Sequence, residues 1–215
     1  MNPVRDPEAL RIRRAAAGNP SRAAIPDSAE LAKLFASAFV NDPVFDWIAR
    51  SGARRAAGAE RFFGWLLSVR AIPYGEVWMG GGAAAIWLPP GAPATAGGLL
   101  DQLALLPMFL DLCGVSRLLR GQAMADAMQR HHPHTEHFYL AFIAVAPEWQ
   151  GNGLGAALLE ATLRRVDAAR MPAYLENSNP KNDNLYLSQG FAMQSDIAPR
   201  GAPALRAMWR SARTA

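Results

Sequence analysis

The stretch from Phe138 to Ala169, FYLAFIAVAPEWQGNGLGAALLEATLRRVDAA, constrains the fold more than any other part of the chain. Tyr139 to Val145 is almost wholly apolar and rich in aromatic and β-branched residues. It is too short for a helix standing alone and is closed off by Pro147, so it predicts a buried central strand. From Leu154 onward Ala156, Leu159, Leu163 and Val166 recur at helical spacing, while Glu160, Arg164 and Asp167 share another face. That pattern predicts a helix lying on a sheet. Between the two sit Gln150, Gly151, Asn152, Gly153, Leu154 and Gly155. Glycines at a helix start let backbone N–H groups point outward, and the positive end of the helix dipole adds to their pull on anions. The turn reads as an anion cradle, and its expected ligand carries phosphate.

The rest of the chain limits what surrounds this unit. A net charge of +4 fits an anionic ligand, but the arginines are scattered and no dense basic run marks a nucleic-acid arm, so no nucleic acid is expected. A lone cysteine, Cys113, rules out an internal disulfide and fits a reducing compartment. The first residues lack the apolar core of an export signal, and the greasiest run, Leu99 to Val115, is interrupted by Asp101, Pro107 and Asp111. A cytoplasmic protein without a membrane segment is expected, as monomer or homodimer. Residues 1–8 read as disordered and 9–215 as a single domain.

Leu10 to Ala15 reads as an edge strand with alternating arginines, followed by a helix from Ser28 to Phe39. The aromatic segment Val44 to Ile48 and a helix over Arg54 to Val69 come next. A hairpin follows, of Glu76 to Met79 and Ala83 to Leu88 about three glycines. Leu99 to Met128 predicts a helix broken near Pro107 and a second from Val115. A strand at Ala173 to Glu176, a helical turn at Leu185 to Ser188 and a strand pair, Phe191 to Gln194 with Leu205 to Trp209, complete the expectation.

Three readings of the glycine turn compete. A dinucleotide fingerprint with Glu176 as ribose ligand is a weak match, given the gap from Ala146 to Gln150 and the short remaining chain. A P-loop fails because Ala156 and Ala157 stand where Lys and Ser or Thr are needed. The third takes Gln150, Gly153 and Gly155 as the pattern Gln/Arg-x-x-Gly-x-Gly/Ala after a strand ending Val-x-Pro. Here the chain resembles the GNAT superfamily of N-acetyltransferases. The family's Asn-x-x-x-Tyr-x-x-x-Gly-Phe pattern is matched by Asn182, Tyr186, Gly190 and Phe191. Further segments look closest to the puromycin N-acetyltransferase-like branch: Ala38-Phe39 with Asp42-Pro43, Phe45 and Trp47, Trp87 to Gly91, His137 with Tyr139-Leu140, and Leu175-Glu176 with Ser178.

The resemblance implies an α/β GNAT acyl-CoA N-acyltransferase fold, a mixed twisted sheet flanked by helices. It implies acetyl-CoA as cofactor and direct acetyl transfer to an amine in a ternary complex. The glycine turn, Gln150, Gly151, Asn152, Gly153, Leu154, Gly155 and Ala156, would hold the pyrophosphate. Backbone groups of Ile143, Ala144 and Val145 would pair with the pantetheine arm, and Asn182 would contact the cofactor. Tyr186 is the general-acid candidate, since a phenol with an ordinary pKa of about 10 can protonate a departing thiolate. The strand Tyr139 to Val145 lacks the glutamate that many family members carry, and Glu176 is the substitute base, directly or through water. Asp42, Phe45, Trp47 and His137 would line the site of a small-molecule amine acceptor. The alternatives are a protein or peptide acceptor and a noncatalytic acyl-CoA sensor. All four histidines lie between His131 and His137, but without helical i, i+4 spacing or an accompanying cysteine, so no metal site is expected.

Overall fold

The computed structural model describes residues 6–52, 54–92 and 99–213, with side chains left aside for 99–105. In chain order the helices are α1 (Pro7–Gly18), α2 (Ser28–Ala38), α3 (Pro43–Ile48), α4 (Arg54–Trp65), α5 (Ile72–Tyr74), α6 (Leu99–Cys113), α7 (Val115–His131), α8 (Leu154–Ala168) and α9 (Asp183–Ser188). The strands are β1 (Ser21–Arg22), β2 (Glu76–Gly80), β3 (Ala83–Leu88), β4 (Phe138–Val145), β5 (Ala173–Asn177), β6 (Ala192–Ile197) and β7 (Leu205–Arg210). They form one seven-stranded sheet in the order β1-β2-β3-β4-β5-β7-β6. Every neighbouring pair is antiparallel except β4 with β5. A parallel pair needs a crossover, and α8 supplies it.

Alternation along β4 and β5 divides the core into two layers. Phe138, Leu140, Leu175 and Ala173 join Leu158, Leu159, Leu163 and Val166 of α8 on one face. On the other face Phe35, Phe45, Phe63, Ile86 and Ala144 pack beneath α2 and α4, and Tyr174 lies with Met124 and Ala127 of α7. Each large apolar side chain removed from water contributes about 1.5–3 kcal/mol, so both faces are needed to hold the sheet. Arg210, buried on β7, donates two hydrogen bonds to Asp167 at 2.6 and 2.9 Å and ties the far strand to α8.

Four expectations need correction. Leu10 to Ala15 is not a strand. Asp6 caps the helix α1 by accepting from the Glu8 N–H at 3.0 Å, Pro7 occupies its first turn, and Leu10 and Ala17, seven residues apart, share its core-facing side. Pro7 and Glu8, expected to be disordered, open that helix. The arginines that looked like a period of two decorate a helix; the first edge strand is instead the two-residue β1. The break in the long helical stretch falls at Gly114, with φ of 69°, and not at Pro107, which α6 accommodates within its length.

The helix expected over Arg54 to Val69 leaves α-geometry at Leu66 and runs as a π-helix to Ala71. The hairpin turn at Gly81 needs glycine: φ is 65°, and a Cβ would stand 2.1 Å from the Arg13 carbonyl oxygen, because α1 crosses directly over the turn. Among the described residues no helix is long and apolar enough to cross a membrane.

Candidate active site

The parallel strands β4 and β5 are paired only at Phe138 with Ala173 and Tyr139 with Tyr174. Beyond that rung they part. On its other edge β4 follows β3 to the end, with a bulge at Ala141, where the register skips from Trp87–Leu140 to Ile86–Phe142. The Ala146 N–H donates to the Gly82 carbonyl at 2.9 Å, so by alternation Ala144 also faces β3. Ile143 and Val145 turn their N–H and C=O groups the other way, into the opening. Of the three residues expected to offer free backbone, Ala144 is thus engaged with β3. The Val145 carbonyl accepts from Gln150 Nε2 at 3.1 Å.

The opening leads to the glycine turn. Gly151 and Gly153 have φ of 74° and 79°, conformations that L side chains resist, and Gly153 is the left-handed N-cap of α8. No side chain caps this helix, and its first backbone bond runs from Ala157 N to Gly153 O at 3.0 Å. The N–H groups of Leu154, Gly155 and Ala156 are therefore without helical acceptors. A Cβ on Gly155 would meet Val145 Cγ2 at 3.4 Å, which brings the helix start close against the strand end.

Gln150 and Asn152 hold the loop. Asn152 Nδ2 donates to the carbonyls of Trp149 and Gln150 at 3.1 and 2.7 Å. Sequence reasoning missed Arg14. Its guanidinium lies 3.4–3.5 Å from the point where a Gly153 Cβ would sit, and it is exposed. The signal was the arginine pair at 13 and 14, misplaced on a strand.

Tyr186 on α9 is 5% exposed and packs edge-on to Phe191 at 6.2 Å. Burial, and then the charge of Asp42, pushes its phenol well above the ordinary range, so it stays a proton donor. Glu176 lies on the opposite face of the sheet with its side chain 2% exposed, and neither carboxylate oxygen has a hydrogen-bond partner among the described residues. His132 Nδ1 is 3.8 Å from its Oε1. The phenols of Tyr139 and Tyr174 are raised by burial and then by the charge of Glu176. His137 is buried, with Nδ1 2.6 Å from the Thr135 carbonyl oxygen, and burial holds its pKa below the usual histidine value.

The central parallel pair thus opens beyond Tyr139–Tyr174, with an uncapped glycine-rich helix start at the mouth. Residues 116–193 match the acetyltransferase (GNAT) domain family. That segment is similar to a GNAT acetyltransferase domain. A mycothiol acetyltransferase of Nocardiopsis dassonvillei is 46% identical over 54 residues, a match taking in 24% of this chain and 16% of that protein's length. A solved structure from Corynebacterium glutamicum, described as a histone acetyltransferase and related acetyltransferase, superposes with a TM-score of 0.70 at 22% identity, covering 91% of this chain and 97% of that one. The polyamine N-acetyltransferase of Drosophila melanogaster superposes at 0.57 with 14% identity, covering 89% and 98%. At these identities the structural likeness establishes the fold.

The expected acceptor residues are placed differently from expectation. Asp42 is not free to meet a substrate. It is the buried N-cap of α3, accepting from the Phe45 N–H at 2.9 Å and from the Ser178 hydroxyl. Phe45 belongs to the core between α2 and α4. Trp47 is half-buried beneath the Arg120 guanidinium, 5.5 Å from its ring centre. Only His137 of the four lies beside Glu176 and the last rung of the parallel pair.

Asn182 is exposed, and its side chain makes no capping bond to α9. Asn177 at the end of β5 is buried: its Nδ2 donates to Asp183 at 2.8 Å and its oxygen accepts from the Asn179 N–H at 3.1 Å. Among the described residues no group of three or more His, Cys, Asp or Glu side chains is placed to hold a metal ion.

Proposed function

We propose that this protein transfers an acetyl group from acetyl-CoA directly to the amine of a small molecule, with both substrates bound at once. The observation that carries the reading is the parting of β4 from β5 after Tyr139–Tyr174, with Ile143 and Val145 facing the gap. An extended chain with alternating amides, such as a pantetheine arm, pairs with exposed strand groups as an added strand would. The uncapped start of α8 fits the other end of the same ligand. Three N–H groups without helical acceptors, a dipole end and the neighbouring Arg14 are the chemistry of a pyrophosphate site.

When bound, acetyl-CoA supplies the activated thioester. The chain supplies the rest. A strand N–H at the cleft steadies charge developing on the thioester oxygen. Tyr186, kept protonated by its surroundings, delivers a proton to the departing sulfur. Glu176 provides negative charge on the acceptor face, opposite α8. The sequence motifs from Ala38 to Ser178 favour the puromycin N-acetyltransferase-like branch, and a small-molecule acceptor agrees with the mycothiol and polyamine relatives.

A thiol-release assay with acetyl-CoA across a panel of small amines and peptides tests the proposal. Turnover with small amines is expected. Faster turnover with peptides would replace the acceptor class, and tight acetyl-CoA binding without turnover on any amine would make the domain a sensor.

A further inference from the structure

Glu176 has a sealed carboxylate whose oxygens make no hydrogen bond of full geometry among the described residues, with the phenols of Tyr139 and Tyr174 beside it. A charge in that position is costly unless a cation answers it. It also cannot touch a substrate amine, because its side chain is only 2% exposed. The group that both faces it and reaches solvent is His132, 29% exposed at its side chain, with Nδ1 3.8 Å from Oε1. The ring is edge-on to Tyr139 and Tyr174, with centroids 5.1 and 5.2 Å away. Those two residues are the last rung before the strands part, so the imidazole stands over the root of the cleft. His132 is the C-cap of α7, and its neighbour His131 is turned back to the Ala127 carbonyl at 2.8 Å.

We propose that His132 is the base that takes the proton from the acceptor's ammonium group, and that Glu176 is a positioning residue that acts through it by stabilising the imidazolium. This rests on the acetyl-transfer reading. An N–H bond of the ammonium breaks, its electron pair stays on nitrogen and the proton goes to Nε2 of His132. The free amine forms a bond to the thioester carbon as the C–S bond breaks. Tyr186 protonates the thiolate and is restored by the second proton, shed by the new amide nitrogen.

At 3.8 Å the Glu176 contact is an ion-pair separation longer than a hydrogen bond, so it favours the charged ring through its charge. The titratable groups that face His132 are Tyr139 from β4, Tyr174 and Glu176 from β5, and His137 from the loop before β4. The two phenols remain neutral. Burial holds the His137 pKa below the usual histidine value, which leaves Glu176 as the carboxylate beside His132.

The test is an NMR titration of the His132 imidazole in wild type and Glu176→Gln, alongside pH profiles of kcat/KM. With the opposite charge removed, the His132 midpoint and the acid limb of the profile should both move to lower pH in Glu176→Gln. His132→Gln should abolish that limb and lower kcat/KM by about a hundredfold, the usual range for a general base. Acetyl-CoA affinity, read by calorimetry, should stay at the wild-type value in both, which also certifies that the cleft is folded. An unmoved midpoint, or an acid limb that survives in His132→Gln, overturns the proposal while turnover with amines leaves the acetyl-transfer reading in place. Absence of turnover with every amine overturns both.

Discussion

Along one wall of the cleft, from Ile143 to Ala156, the groups that face the opening are backbone N–H and C=O, held by two left-handed glycines and an uncapped helix start. Along the other stand side chains, His132 from the end of α7 with the sealed carboxylate of Glu176 behind it, and Tyr186 of α9 across the sheet. The first wall depends on local conformation and is suited to holding a ligand. The second depends on the docking of separate elements and is suited to moving protons. Changes in the first wall should alter affinity, and changes in the second should alter rate.

The largest expected effect breaks the backbone wall. Gly153→Val forces a β-branched residue to a φ of 79°, beside Arg14. At roughly 2 kcal/mol for the left-handed conformation, acetyl-CoA affinity should fall on the order of thirtyfold by calorimetry as the turn rearranges. Unchanged affinity would show that the cradle does not depend on that N-cap.

Tyr186→Phe tests the other wall. It should lower kcat by at least about tenfold with acetyl-CoA affinity nearly unchanged, and a wild-type rate would remove Tyr186 from proton transfer. Arg14→Ala should weaken acetyl-CoA binding by about threefold to fivefold and flatten its dependence on salt, with kcat intact, as for an exposed charge near phosphate.

The smallest effect concerns stability. Burial raises the Asp42 pKa above the ordinary 3.8, so the folded state holds its proton more tightly than the unfolded chain does. Its contribution to stability is therefore full below about pH 4 and is lost as pH rises through the folded-state value. In Asp42→Asn, which keeps a good N-cap, that decline should vanish from denaturant melts taken at increasing pH.

Much of the first wall was legible, and for a physical reason. Gly151, Gly153 and Gly155 sit where φ or close packing admits little else, Pro147 ends the strand, and Leu158, Leu159, Leu163 and Val166 declare the buried face of α8. Such signals are local, and they survive without knowledge of the neighbours. The second wall was legible only in part. Glu176 and Tyr186 were named from motif spacing, but Asp42 and Phe45 looked like a pocket lining and proved to be a helix cap and core. His132 was one histidine among four in a short run, and nothing in that run distinguishes the ring over Glu176 from its neighbours. Leu10 to Ala15 misled because Arg11 and Arg13 alternate as a strand would, while Asp6, Pro7 and the spacing of Leu10 and Ala17 carried the helix.

The amino-acid sequence by itself determined a strand, a glycine cradle and a helix in fixed succession, because torsional limits and hydrophobic periodicity act over a few residues. Only the tertiary structure decided that β4 and β5 part after Tyr139–Tyr174, that Ala144 pairs with β3 while Ile143 and the Val145 N–H face the gap, and that a sealed carboxylate meets one imidazole. Those outcomes depend on which strand pairs with which and on where helices dock, and contacts between residues far apart in the chain leave no periodic mark on it.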